Sequence, residues 1–292
     1  AGKALPRSAH PVYRRQRFPD PLLGEKFDPG STVWENEGVR LWHLGDDVAV
    51  ASFKTKMNTV NDAVLDGLQR CVEEAEKGFK GLVLWQSGEP FSAGADLKGA
   101  MGLLQAGKVD AFEAMIANFQ ATSMKLKYSL VPTVAAVRGM ALGGGCEFQM
   151  HCTRTVAALE SYIGLVEAGV GLLPAGGGLK EIALRCAKQN PADPFAAIKN
   201  YFEVVAMAKV STSALEAKEM GLLRPGDTVV FNPHELLWVA QREAAALADS
   251  GYRPPLPARQ VVVAGDVGTA SLKMMLVNML EGRFVSAHDV EI

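Results

Sequence analysis

The sequence has no Cys-x-x-Cys pair, no block of like charge and no apolar run of membrane-spanning length. Each absence removes a class of protein. The four cysteines, Cys71, Cys146, Cys152 and Cys186, lack metal-ligand spacing, so buried thiols in a reducing compartment are expected. A formal net charge of −2 leaves no basic excess for nucleic acid. No segment approaches the ~20 apolar residues of a membrane helix, and no apolar stretch near the start resembles a secretory signal. A soluble, cytoplasmic protein with no nucleic-acid or membrane partner is the expectation. Phosphate-binding fingerprints are missing too: there is no Gly-x-x-x-x-Gly-Lys-Ser/Thr, and no Gly-x-Gly-x-x-Gly after a strand.

What the chain has is apolar mass. Hydrophobic residues make up 48% of its 292 positions, enough for one large domain with appendages or two small ones. Residues 1–38 hold Pro6, Pro11, Pro19, Pro21, Pro29 and the basic run YRRQR, and read as a linker or N-terminal extension. Residues 39–44 and 48–53 read as strands around the turn Gly45-Asp46-Asp47. Asn61 is placed to cap a helix with Val64, Leu65, Leu68, Cys71 and Val72 on one face. A strand at 81–86 completes an α/β pattern. Beyond it the spacing predicts strands at 133–137 and 154–159. Helices are predicted at 110–127, 179–188, 213–221, 234–250 and 268–282. The last presents Leu272, Met275, Leu276 and Met279 on a face suited to packing against the domain or a neighbouring subunit. The chain opens Ala-Gly and stops shortly after Ser286, a residue placed to cap a helix that barely begins, so a piece of a longer polypeptide is expected.

The chemistry gathers around "ALGGGCEFQMHC", residues 141–152. Glycines between a strand and a helix let the backbone approach a ligand, and the first helical N–H groups have no partner within the helix. Those N–H groups suit a phosphate or an oxyanion formed at a carbonyl, and the missing fingerprints disfavour the phosphate. Glu147 follows the glycines, and Glu167 comes 20 residues later in the nearly uncharged "YIGLVEAGVGLLPAGGG". The loop "FSAGADLK", 91–98, is a second small-residue segment after a strand, able to present a backbone N–H. Two carboxylates in apolar surroundings beside two backbone donors suit acid–base chemistry next to an enolate, with burial raising at least one carboxyl pKa.

These three segments, in this order and spacing, resemble the enoyl-CoA hydratase/isomerase (crotonase) superfamily over about residues 39–223. The whole chain, with its tail "GDVGTASLKMMLVNMLEGRFVSAHDVEI", is also similar to the crotonase unit at the C-terminal end of long 3-hydroxyacyl-CoA dehydrogenase fusion proteins. The resemblance implies an α/β fold, a spiral of ββα units with a helical C-terminal region. The domains would be an extension at 1–38, a core at 39–225 and a truncated helical region at 226–292. It implies oxyanion-hole N–H groups at Ala95 and Gly144, and catalytic carboxylates at Glu147 and Glu167. The stretch Ala95-Asp96-Leu97-Lys98, with Gly144, would bind the acyl-CoA thioester.

It further implies reversible syn hydration of a trans-2-enoyl-CoA to a 3-hydroxyacyl-CoA in fatty acid β-oxidation, with Glu147 as base and Glu167 as acid. Coenzyme A arrives as part of the substrate, and no metal or other cofactor is implied. The expected assembly is a homo-oligomer, trimer or hexamer, fused to a 3-hydroxyacyl-CoA dehydrogenase. A Δ3,Δ2-enoyl-CoA isomerase and a non-catalytic acyl-CoA-binding module are the alternatives. The chain departs from the family pattern at Thr153, Leu165 and Ala175, where aspartate, glutamine and glycine are usual. Its 188–210 connection is longer than usual.

Overall fold

The computed structural model describes residues 15–16, 28–189 and 195–292. Most of the proline-rich segment, and Pro191 and Pro194, lie outside the described residues. Seven strands form one sheet in sequence order: β1 (Ser31–Glu35), β2 (Val39–His43), β3 (Val48–Phe53), β4 (Gly81–Leu84), β5 (Thr133–Leu142), β6 (Arg154–Gly164) and β7 (Thr228–Val230). β1, β2 and β3 pair antiparallel, as tight turns permit. From β3 to β7 every pair is parallel and needs a crossover. The helices that supply these crossovers begin with α1 (Asp62–Gly78), α2 (Leu97–Gln105), α3 (Val109–Lys127) and α4 (Gly144–His151). α5 (Gly178–Gln189), α6 (Phe195–Ala206) and α7 (Ala214–Glu219) lead into β7, and α8 (Leu236–Asp249), α9 (Gly265–Glu281) and α10 (Ala287–Glu291) follow it. A chain that always adds the next strand on the same side winds into a spiral, the crotonase-like α/β architecture the motifs imply.

Strand alternation divides the core in two. Leu41, Leu82, Ala135 and Ala157 face one side, where α1 buries Val64, Leu65, Leu68, Cys71 and Val72. Asn61 starts that helix by accepting from the Val64 N–H at 3.0 Å. Trp42, Val83, Val134 and Val156 face the other side, against Leu236, Leu237, Ala240 and Ala244 of α8. The alanines let α8 lie close: a Cβ added at Gly81 would stand 3.0 Å from that of Ala244. All four cysteines are free and buried.

The feature that positions the site is a second, smaller ladder. β5 and β6 run past the predicted ends at 137 and 159. At Gly139, with φ +64°, the register breaks, and residues 139–142 then pair with 161–164. Ser92 bridges Ala141, and Val60 bridges Ala95, in parallel sense. Three short segments are thus stitched onto the ends of the core strands.

Several elements differ from the sequence expectation. β1 lies inside the segment 1–38, and β7 lies inside 226–292, so the sheet extends beyond the expected core limits at both edges. Both strands are short and follow no long apolar alternation. The loop read over 91–98 gives way at Leu97 to α2, a helix not expected from the sequence; it forms under an Asp96 cap, whose carboxylate accepts from the Lys98 N–H at 3.1 Å. α6 lies in the long 188–210 connection. On α9 the expected face of Leu272, Met275, Leu276 and Met279 is half-buried, while Val267, Met274 and Val277 are exposed. His288 on α10 meets the carbonyl of Gly171 at 3.1 Å.

Candidate active site

The loop 91–96 is held from both sides by main-chain hydrogen bonds. Ser92 N–H donates to Met140 O at 3.1 Å, and Leu142 N–H to Ser92 O at 3.0 Å. On the other side, Val60 N–H donates to Gly94 O at 2.8 Å and Asp96 N–H to Val60 O at 2.8 Å. In such a parallel bridge the groups of residues 94 and 96 face Val60, so the N–H of Ala95 turns the other way. Gly144 lies close to it: a Cβ added there would stand 3.5 Å from Ala95 N. Gly94 must be glycine, since its φ is +92° and a Cβ would meet Leu142 O at 2.8 Å.

Gly144 is the first residue of α4, where N–H groups have no intrahelical partner. Among the described residues, no acceptor within the chain meets the Ala95 or the Gly144 N–H. Two free donors side by side, one of them on a helix N-terminus, define a place for developing negative charge on oxygen. The ring of Phe119 closes this place. A Cβ at Gly144 would meet it at 2.5 Å, and one at Gly176 also at 2.5 Å.

Glu147 sits one turn into α4 and is 2% exposed. Its Oε1 accepts from the Gly178 N–H at 2.8 Å. Burial, with the charge of Glu167, pushes its pKa up to about 8, against the pull of the backbone N–H groups of Gly178, Gly176 and Gly177. Glu167 opens a single 3-10 turn after β6. Its Oε1 lies over Gly143, 3.1 Å from where a Cβ would be, and burial pushes its pKa up to about 7. Its Oε2 is buried without a hydrogen-bond partner among the described residues.

The structure therefore brings Ala95, Gly144, Glu147 and Glu167 together. Asp96 serves as the α2 cap, and Leu97 and Lys98 are exposed on its first turn. The departures from the family pattern have local accounts. Leu165 is fully buried and touches the face of Gly178 that holds Glu147. Thr153 joins Thr133 and Tyr252 through its hydroxyl. Ala175 offers its carbonyl to Gln120 at 2.8 Å.

Two contributors escaped the sequence reading. Phe119 carries an ordinary helical apolar spacing and gives no signal of its own. His151 ends the run "EFQMH", which reads as apolar helix, yet it is buried with Nδ1 2.7 Å from Glu147 O. Its position four residues after Glu147 was the available clue. His151 also lines a cavity of about 920 Å³ with Glu181, Arg185, Tyr201 and Arg224, a cavity that neither Glu147 nor Glu167 lines. Among the described residues no cluster of His, Cys, Asp or Glu is placed to hold a metal ion, and no helix is long and apolar enough to cross a membrane.

A fold wound from parallel strands, with paired N–H donors, a buried Glu147 and a half-buried Glu167 at its second ladder, defines a crotonase-type protein. The Enoyl-CoA hydratase/isomerase family profile matches residues 45–237, and the chain belongs to that family. It is 41% identical over 260 residues to a "Probable 3-hydroxyacyl-CoA dehydrogenase" of Bacillus subtilis, covering 89% of this chain and 33% of that protein. The chain thus spans about a third of that relative. Among solved structures it resembles an enoyl-CoA hydratase from Bacillus anthracis, with TM-score 0.57 and 24% identity over 73% of this chain and 76% of that one. A Thermobifida fusca structure solved in complex with CoA gives TM-score 0.58 and 21% identity over 87% and 90% of the two chains. These two likenesses establish the fold.

Proposed function

We propose that the chain is an enoyl-CoA hydratase that adds water reversibly, in syn fashion, to a trans-2-enoyl-CoA. The observation that carries this reading is the pairing of a buried and a half-buried carboxyl with two unpartnered backbone N–H groups. The thioester oxygen would sit on the N–H groups of Ala95 and Gly144, which stabilise it as it takes up enolate charge. A water held between Glu147 and Glu167 would attack C3. One of its protons passes to Glu147 as the C–O bond forms, and Glu167 delivers its proton to C2. Both carboxyls have raised pKa values, so the pair can hold one proton near neutrality.

Two effects bear on which glutamate is the base. Burial ranks Glu147 above Glu167, which favours the proton on Glu147 at rest. Hydrogen bonding works against that ranking, because the backbone N–H groups of Gly178, Gly176 and Gly177 favour the ionised Glu147, while those of Glu167 and Val166 favour the ionised Glu167, whose Oε2 has no partner among the described residues. A bound acyl group buries both sites and reduces the first difference, while the fixed donors remain. The base is therefore assigned to Glu147 and the acid to Glu167.

The substrate class is an acyl-CoA thioester, with no metal or further cofactor required. The reading extends to a unit of a longer protein that also carries 3-hydroxyacyl-CoA dehydrogenase activity, supported by the 41% identity over a third of the Bacillus subtilis relative. A homo-oligomer, supported by the exposed apolar positions of α9, and a cytoplasmic location belong to the same proposal. The test is a hydration assay with crotonyl-CoA and a longer 2-enoyl-CoA, run beside a 3-enoyl-CoA. Loss of the conjugated enoyl absorbance with formation of 3-hydroxyacyl-CoA is expected. Conversion of the 3-enoyl substrate alone would make the protein an isomerase, and binding without turnover would make it a carrier module.

A further inference from the structure

We infer that His151 is a positioning residue for Glu147: its ring, held between Lys180 and the Glu147 carbonyl, keeps the Glu147 carboxylate against its backbone donors. This rests on the reading of Glu147 as the catalytic base.

The geometry fixes the state of the ring. His151 Nε2 is 2.9 Å from Lys180 Nζ, and Nδ1 is 2.7 Å from Glu147 O. A lysine ammonium only donates, so Nε2 accepts and carries no proton. The neutral ring then has its proton on Nδ1 and donates it to the Glu147 carbonyl. Every charged group facing the ring agrees with this, apart from one. Burial and Lys180 push the His151 pKa down to about 4, Lys127 acts in the same direction, and Glu181 opposes. Glu181 is 3.6 Å from Nε2, but its carboxylate is already held by Lys180 at 2.9 Å and by Lys127. Although burial works against its charge, the Lys127 and Lys180 ammonium groups hold its pKa below the usual carboxylate range. Lys180 and Glu181 come from α5, Lys127 from α3, and the ring itself from α4, so three helices meet at this ring.

What the ring holds explains its effect. Glu147 is gripped at both ends of its backbone, its N–H donating to Gly143 O at 2.9 Å and its carbonyl accepting from His151. The ring also lies flush on Gly177, where an added Cβ would stand 2.7 Å from Cε1 and 2.8 Å from Nε2. Gly176, Gly177 and Gly178 are the segment whose N–H groups face the Glu147 carboxylate. The imidazole therefore sets both the carboxylate and its donors.

The test uses the protein labelled with 15N-histidine and with 13C in its glutamate carboxyls. The five histidines are few enough to assign His151 by its absence in His151→Asn. A neutral ring protonated on Nδ1, unchanged from about pH 6 to 8, is expected. A ring protonated on Nε2, or charged at neutral pH, overturns the inference on wild-type protein alone. His151→Phe should raise the Glu147 carboxyl titration, since donors that favour the ionised form drift away. It should lower kcat about tenfold with KM little changed, the scale of one lost hydrogen bond. His151→Asn places an amide N–H where Nδ1–H stands and should restore most of both. Asparagine no better than phenylalanine, or an unmoved carboxyl titration in His151→Phe, overturns it. A wild-type protein without hydratase activity but with the shifted titration sinks the hydration reading alone.

Discussion

Phe119 stacks on Phe148 with ring centroids 4.8 Å apart and planes 16° apart, and the outer edge of Phe119 covers Gly144. The Gly144 N–H, the proposed oxyanion donor, is therefore walled by an aromatic ring anchored in the core. Gly144 needs no left-handed φ, so alanine is excluded there by the ring and not by backbone conformation. Gly144→Ala should lower turnover strongly, because the ring or the helix start must move. Adding Phe119→Leu should recover part of the loss. A double-mutant cycle on kcat checks this, and the two changes should be non-additive, as neighbours in contact are.

Glu147→Gln and Glu167→Gln should each reduce hydration by ~10²–10⁴-fold, the usual scale of a general acid or base. Acyl-CoA affinity should survive, since the amide keeps the shape. The double variant should cost little more than the worse single one, because both groups act on one water. Steady-state rates and a binding titration on the same preparations measure this. Full activity in either single variant would remove that glutamate from the mechanism.

Stability should carry the signature of the raised carboxyl. Glu147 titrates at 4.5 when unperturbed and at about 8 in the folded protein. Between those values the folded state holds a proton that the unfolded chain has released. Rising pH then favours unfolding across that window, and the penalty is complete above about pH 8. Glu147→Gln has nothing to titrate. Its melting temperature should match wild type near pH 4.5 and exceed it increasingly toward pH 8. Paired melting curves check the sign, and a gap that narrows with pH would contradict the assignment.

Ser92 is a fourth point of test. Its buried hydroxyl donates to Asn58 O at 2.7 Å and accepts from Gly94 N–H at 3.1 Å. Ser92→Ala leaves both groups unpaired and should cost about 1–3 kcal/mol of stability. It should also lower kcat, because the strand that aims the Ala95 N–H loses its tie. Denaturant melts and rates, taken together, separate these effects. A normal rate in a destabilised variant would show that the ladder bonds alone aim Ala95.

Much of this was legible in the chain. The cap at Asn61 and the spacing through Val72 are local signals, and α1 forms with those residues buried. Strands β2 to β4 follow runs of buried apolar residues near the expected places. The glycine segments and both glutamates were visible by spacing, and they meet at one place. The continuation of β5 beyond Arg138 was not legible, because Gly139 reads as a break and only pairing with residues 161–164 carries the strand onward. His151 was hidden for a similar reason. Its meaning comes from Lys180 and Gly177, which lie 29 and 26 residues away in sequence and converge only in the folded chain.

The second ladder has a consequence for how such a protein can diversify. Ala95 bridges Val60 and Gly144 opens α4 just past the end of β5, so both N–H donors are held beside the sheet and can change little without disturbing its ladder. α2 begins immediately beyond that lattice, with Leu97, Met101 and Leu104 exposed on one side and only Ala100 buried. Substitutions there leave every ladder bond in place. Inheritance can therefore remodel this helix while the paired N–H donors beside it stay in place.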